Sequence, residues 1–179
     1  MAEEKKEQWM SYLALSTVIL AVCATMATFK GGGFSTRAVM SQSQASDQWA
    51  FFQAKSVKLN LYEIQREKIQ MEILALNEKT AGSTIAAYKK KIEDYTKKIE
   101  KYDAEKTVIM AEAKKLEGIR DDSQKHSRVF GVAVIFLQIA ILLSSIAGLL
   151  KKKPVWILGL AVGVVGIYYF VDGFLLFSV

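Results

Sequence analysis

The sequence predicts an all-α membrane protein, with three transmembrane helices and a long antiparallel coiled-coil helical hairpin between the first and the second. Three observations carry that reading. Uncharged apolar runs stand at 9–29, 129–150 and 155–171. The chain between the first two is charged and repeats its apolar residues in steps of three and four. A single Pro among 179 residues leaves long helices almost uninterrupted.

A helix crossing lipid needs roughly 20 apolar residues, because every backbone polar group must be satisfied within the segment. Residues 9–29 and 129–150 meet this, and the third run meets it as 155–179, continuing past Asp172. Residues 1–8 form a short polar tail ahead of the first span. The first run exceeds the roughly 7–15 residues of a signal-peptide core. Thr25-Met26-Ala27 is a poor cleavage site, and Val22 is too large to precede a lipoprotein Cys. An uncleaved anchor is expected, with Cys23 as a buried thiol. Gly31-Gly32-Gly33 marks 30–40 as a flexible linker in which the chain turns after the first span.

Residues 41–128 read as the hairpin, with arms 41–80 and 84–128 and a tip at 80–83. In the second arm Ile85, Tyr88, Ile92, Tyr95, Ile99, Tyr102, Lys106, Ile109, Ala113 and Leu116 form a heptad seam. The first arm has a matching seam: Phe52, Lys55, Leu59, Tyr62, Arg66, Ile69, Ile73 and Leu76. Gly82 suits the left-handed residue that ends a helix, and Ser83 suits the cap of the next. Folding back at this point opposes Leu76 to Ile85, Ile73 to Tyr88, Ile69 to Ile92, Arg66 to Tyr95, Tyr62 to Ile99, Leu59 to Tyr102 and Phe52 to Ile109. Arg66 is placed to lie on the Tyr95 ring. Lys55 opposes Lys106, so both are expected to swing outward toward acids. Arms of this length stand roughly 60 Å tall at 1.5 Å per residue, and the second is able to run on into 129–150 as one helix.

The first arm carries a second apolar stripe: Trp49, Val57, Leu61, Ile64, Met71 and Leu74. A helix with two apolar faces needs two partners. The hairpin supplies one, and the same arm of a second copy is the simplest other, so a homo-oligomer is expected. The basic tract at 89–91 is interleaved with acids nearby, among them Glu93 and Asp94, and reads as a solvated face; no nucleic-acid partner is expected.

Orientation follows from the short turn Lys151-Lys152-Lys153-Pro154, which resists translocation. With that turn (151–154) in the cytoplasm, the N-terminus lies there too, beside Lys5 and Lys6, and the hairpin is extracytoplasmic. Lys30, Arg37, Lys125 and Arg128 argue the other way, but long domains cross largely regardless of charge.

Composition narrows the chemistry. One Cys and one His exclude a disulfide framework, a Cys-based zinc site and a multi-His metal site. No phosphate-binding Gly loop or Ser-His-Asp set is present, so no catalytic residue, cofactor or metal is assigned. The polar candidates are few. His126 precedes the second span and is expected to face lipid headgroups. Gln138, mid-span, is expected to hydrogen-bond between helices. Asp172, beside Tyr168 and Tyr169, is expected at the membrane interface. Gly159 and Gly163 form a GxxxG pattern for close helix packing. Trp9, Tyr12 and Trp156 read as belt residues on the cytoplasmic side.

The stretch Ala45-Ser46-Asp47-Gln48-Trp49-Ala50-Phe51-Phe52-Gln53-Ala54-Lys55-Ser56-Val57-Lys58 resembles the signature of a bacterial membrane-protein family catalogued as domain of unknown function 4337. The layout of one span, a charged helical middle and a C-terminal pair of spans is similar too. The resemblance implies a bacterial source and carries no activity, cofactor or catalytic residue. The sequence is therefore read as a non-enzymatic, structural or scaffolding oligomer of the bacterial inner membrane, its partners the bilayer, its own copies and an unknown protein at the hairpin. A channel around a central axis, or an accessory or sensor subunit of a larger complex, are the alternatives.

Overall fold

The computed structural model describes residues 2–76 and 82–177, with side chains from Gln8 onward. It contains three α-helices: α1 (Ala2–Ala75), α2 (Gly82–Leu150) and α3 (Lys153–Leu175). Each is long and apolar enough over part of its length to cross a membrane. The chain divides into two compact units, one formed by Met1–Met40 with Ile119–Val179 and the other by Ser41–Gly118.

Two sequence expectations about helix ends are corrected. The linker at 30–40 is helical: α1 passes through Gly31-Gly32-Gly33 without a break. Three glycines cost about 1 kcal/mol each against Ala, yet the helix continues through them from the long apolar run that precedes them. Gly31 also has a packing role, since a Cβ there would lie 3.0 Å from the Phe130 Cβ. Gly82 is the second correction. It is the first residue of α2, and no glycine among the described residues has a positive φ. Thr80 and Ala81 of the expected tip lie outside the described residues.

The turn between α2 and α3 uses the left-handed conformation instead. Lys151 has φ 52°. Its N–H donates to the Gly148 carbonyl at 3.4 Å, and that of Lys152 to Ala147 at 3.1 Å. These two bonds form a Schellman closure with Lys where Gly is usual. Pro154 then sits in the first turn of α3, where a missing N–H costs nothing.

In the first unit the three helices meet through small residues. Leu20, Ala24, Leu137 and Ala140 form one buried cluster, flanked by Cys23, Ile141 and Val162. Ala27, Phe130 and Ala133 form another, flanked by Phe34, Tyr169 and Phe170. α3 lies against α2 along a glycine edge, where a Cβ at Gly159 would stand 3.2 Å from the Ala140 carbonyl oxygen and one at Gly166 would stand 2.8 Å from Leu137 Cγ. At Gly163 the nearest atom is a Leu20 methyl at 3.0 Å. Trp9 and Trp156, two of the three expected belt residues, are held against each other. Their rings pair at 6.2 Å, and the Trp156 indole donates to Ser16 Oγ at 3.2 Å. Tyr12 alone of the three stays exposed.

In the second unit, rising positions on α1 meet falling positions on α2. Trp49 Nε1 donates to Glu117 at 2.9 Å, Lys55 pairs with Glu105 at 2.5 Å, and the Tyr62 ring lies 5.4 Å from that of Tyr95. All the seam residues, Phe52 to Leu76 on α1 and Ile85 to Leu116 on α2, are buried or half-buried. Leu59, Ile69, Ile85 and Ala113 are the most enclosed.

Candidate functional site

The first unit brings its unusual side chains together at one junction. α3 ends at Leu175, so its last carbonyls lack helical partners. The Asp172 carbonyl receives the Leu176 N–H at 2.7 Å. That of Gly173 is met from another helix, by His126 Nδ1 of α2 at 2.7 Å. A carbonyl only accepts, so Nδ1 carries the proton and donates. The imidazole is stacked on Phe34 of α1, with ring centres 4.4 Å apart. Its Nε2 lies 4.0 Å from a carboxylate oxygen of Asp122. Phe130, fully buried, fills the space that Gly173 leaves, 2.8 Å from where a Cβ would stand.

His126 is thus a side-chain cap that ties the end of α3 to α2, and Phe34 holds the ring from α1. This corrects the expected headgroup-facing histidine. Asp172 is corrected as well: it is fully buried in the first unit, not set out at an interface. The bare edge of Gly173 lets α3 approach closely enough to enclose its neighbour. Gln138 departs in the opposite sense. It is exposed on α2, and among the described residues no hydrogen bond holds its amide.

The second unit carries a ladder of cations on rings. Lys98 lies 4.8 Å from the Tyr62 ring centre and 5.9 Å from that of Tyr95. Lys98, not Arg66, is therefore the cation on Tyr95, and the buried Nε of Arg66 has no hydrogen-bond partner. Lys55 lies 5.1 Å from the Tyr102 ring centre while bonding Glu105, and Lys106 lies 5.2 Å from that of Phe52. The two lysines of the seam thus find separate partners. Trp49 is also corrected: its indole bonds Glu117 and its ring meets Phe52 at 5.4 Å, so it is used within the chain. The rest of the second stripe is uncovered. Val57, Leu61, Ile64, Met71 and Leu74 are 67%, 52%, 61%, 65% and 86% exposed.

Hydrogen bonding from the Lys55 ammonium, with its charge, holds the Glu105 carboxyl below its usual value. A depressed folded value means stabilisation that is present above the unfolded carboxyl value, near 4.3, and lost as pH falls through the folded one. Acidification through that range should therefore lower the melting temperature of the helical signal at 222 nm. Glu105→Gln should flatten part of that dependence. A variant melting with the wild-type acid profile would show that the pair adds nothing to stability. The Tyr88 hydroxyl is raised by its bond to Glu72, so its contribution is lost only as pH rises past the tyrosine range.

Among the described residues, no three His, Cys, Asp or Glu side chains gather as a metal set. Sequence reasoning missed Phe34, Phe130, Gly173, Lys98 and Glu117. Of these only Gly173 had a signal in the sequence, as the continuation of Gly159, Gly163 and Gly166 at helical spacing; nothing in it points to the aromatic partners. A family model described as Domain of unknown function (DUF4337) matches residues 9–176. No curated protein and no solved structure matches the chain.

Proposed function

The chain belongs to the DUF4337 family, and from that premise we propose that it is a homo-oligomeric structural or scaffolding protein of the bacterial inner membrane. In this reading it performs no enzymatic reaction. Residues 9–29, 129–150 and the third helix cross the bilayer. The second unit is an antiparallel coiled-coil hairpin standing on the extracytoplasmic side, where it spaces the membrane or holds a partner protein.

The observation that carries the reading is the exposed stripe of the first arm. Val57, Leu61, Ile64, Lys68 and Met71 step by four, three, four and three, which is a heptad edge able to meet its own copy. Its large apolar side chains face outward on a part of the chain too charged to lie in lipid. The hairpin seam is supported by the falling pairs Trp49–Glu117, Lys55–Glu105 and Tyr62–Tyr95, whose positions sum to 166, 160 and 157, on either side of the 161 set by folding back at Gly82 and Ser83. Gln138 adds a second reason to assemble, since an exposed mid-span amide gains from a hydrogen bond across copies.

Leu61→Cys in a Cys23→Ser background should form a disulfide-linked dimer in native membranes under mild oxidant. Asp94→Cys, on the far side of the hairpin, should not. Equal crosslinking at both positions would mean random collision and no interface at the stripe.

A further inference from the structure

Two basic residues of α1 in the first unit, Lys30 and Arg37, have no protein partner among the described residues, and a groove lies between them. Lys30 and Arg37 stand seven positions apart on α1, on one face and roughly 10 Å apart along the axis. Gly33 lies between them on that face. A Cβ at Gly32 or Gly33 would meet nothing within 4 Å, so the backbone is open there. The resulting groove has a volume of about 610 Å³, with Phe29, Lys30, Gly33 and Arg37 among its walls. Both cations are exposed, and among the described residues neither makes an ion pair or hydrogen bond. The Thr36 hydroxyl donates to the Gly32 carbonyl at 3.0 Å, so it competes for no anion.

The groove also sits where charge begins. Lys30 is the first charged residue after the apolar run 9–29. Below it Phe29, Met26 and Val22, each 79%, 48% and 53% exposed, continue the face of Gly33 down the span at helical spacing. An open dip with a cation at each end, leading into an exposed apolar track, matches a molecule with an anionic head and an apolar tail. We propose that this groove binds the phosphate headgroup of an anionic phospholipid, with its acyl chain lying along Phe29, Met26 and Val22. A second copy is a poorer occupant, because two-fold pairing of this face would bring four cations together. The proposal rests on the membrane reading of residues 9–29, and it accounts for cations on the hairpin side that topology alone leaves unexplained.

The test uses the full chain in phosphatidylcholine nanodiscs doped with phosphatidylglycerol, with retained lipids counted by native mass spectrometry. The wild type should keep phosphatidylglycerol in preference to phosphatidylcholine. Lys30→Gln with Arg37→Gln should lower that retention by about thirtyfold, as expected for two cations near a membrane surface. Gly33→Leu keeps both charges and favours the helix, but it fills the dip. It should lower retention as well, whereas Lys125→Gln with Arg128→Gln should change it little. Excess glycerophosphate should not displace the lipid. Full retention in the charge variant, wild-type retention in Gly33→Leu, equal loss with the α2 pair, or displacement by glycerophosphate would each overturn the proposal. A Gly33→Leu chain that loses assembly and keeps lipid would give the groove to a second copy instead. The same spectra report the number of chains, so loss of lipid and loss of assembly are read separately.

Discussion

Gly166→Ile should release α3 from α2 and leave the bundle markedly less stable. The reason lies in which atoms stand opposite the glycine. A Cβ at Gly166 would be 2.8 Å from Leu137 Cγ and 3.0 Å from the Leu137 backbone nitrogen. Leu137 is fully buried, so its side chain has nowhere to swing, and the backbone of a helix does not yield. Lipid tails are as apolar as the side chains, so helices in a membrane are held by close van der Waals fit and not by exclusion from water. Lost fit is then lost stability, at roughly 3 kcal/mol for an overpacked site of this kind. The neighbouring glycines should rank below it. Gly159→Ala meets the Ala140 carbonyl oxygen at 3.2 Å, and Gly163→Ala meets the Leu20 methyls at 3.0 and 3.2 Å and the Ala140 Cβ at 3.5 Å, with no backbone atom among them. Gly32→Ala, which meets nothing, should be neutral or slightly stabilising through helix propensity. Denaturation by sodium dodecyl sulfate in mixed micelles would give the order. A Gly166→Ile chain as stable as the wild type would mean that α3 does not pack on α2 at that edge.

The three long helices with their apolar runs, and the seam residues that are buried or half-buried, were legible because their signals are local. An apolar run without charge and a step of three and four are written in neighbouring residues, and neither needs a distant part of the chain to be read. The junction of His126, Phe34, Phe130 and Gly173 was not legible, because it depends on where α3 returns, and no local pattern states that. Asp172 illustrates the point. Its neighbours Tyr168 and Tyr169 describe an interface, yet the glycine after it draws α3 inward and buries it. The glycine run at 31–33 misled for a related reason. Glycine is a weak helix former in water, but the long helix of the adjoining apolar run continues through it, and Gly31 is used for contact with Phe130. Trp49 was assigned to the outer stripe because the seam, continued back from Phe52, falls at Gln48, one position away. A long side chain with a donor at its tip reaches across that distance to Glu117.

With Trp49 turned inward, the proposed contact between copies depends on five side chains, and Leu61→Glu with Ile64→Glu should abolish it. Covering Val57, Leu61, Ile64, Met71 and Leu74 is worth about 1.5–3 kcal/mol each, or roughly 8–15 kcal/mol per subunit if burial were complete. Association costs an estimated 4–15 kcal/mol or more, so the balance in free solution is close. Insertion in one bilayer tips it, since the copies are already aligned and concentrated. Leu61 and Ile64 are adjacent members of the heptad edge, near its middle, and they are 52% and 61% exposed in the single chain. Replacing both removes two apolar contacts and sets carboxylates opposite their own copies. Like charges across such an edge repel, and burying them costs several kcal/mol more. Neither residue belongs to the seam within the chain, so the helical signal should survive. Native mass spectrometry in lipid should read a wild-type oligomer and a variant monomer. A monomeric wild type would end the oligomer reading. An assembled double variant would move the contact elsewhere; Gly159 and Gly163 are already occupied by α2 and Leu20, so the exposed face around Gln138 would be the next site to test.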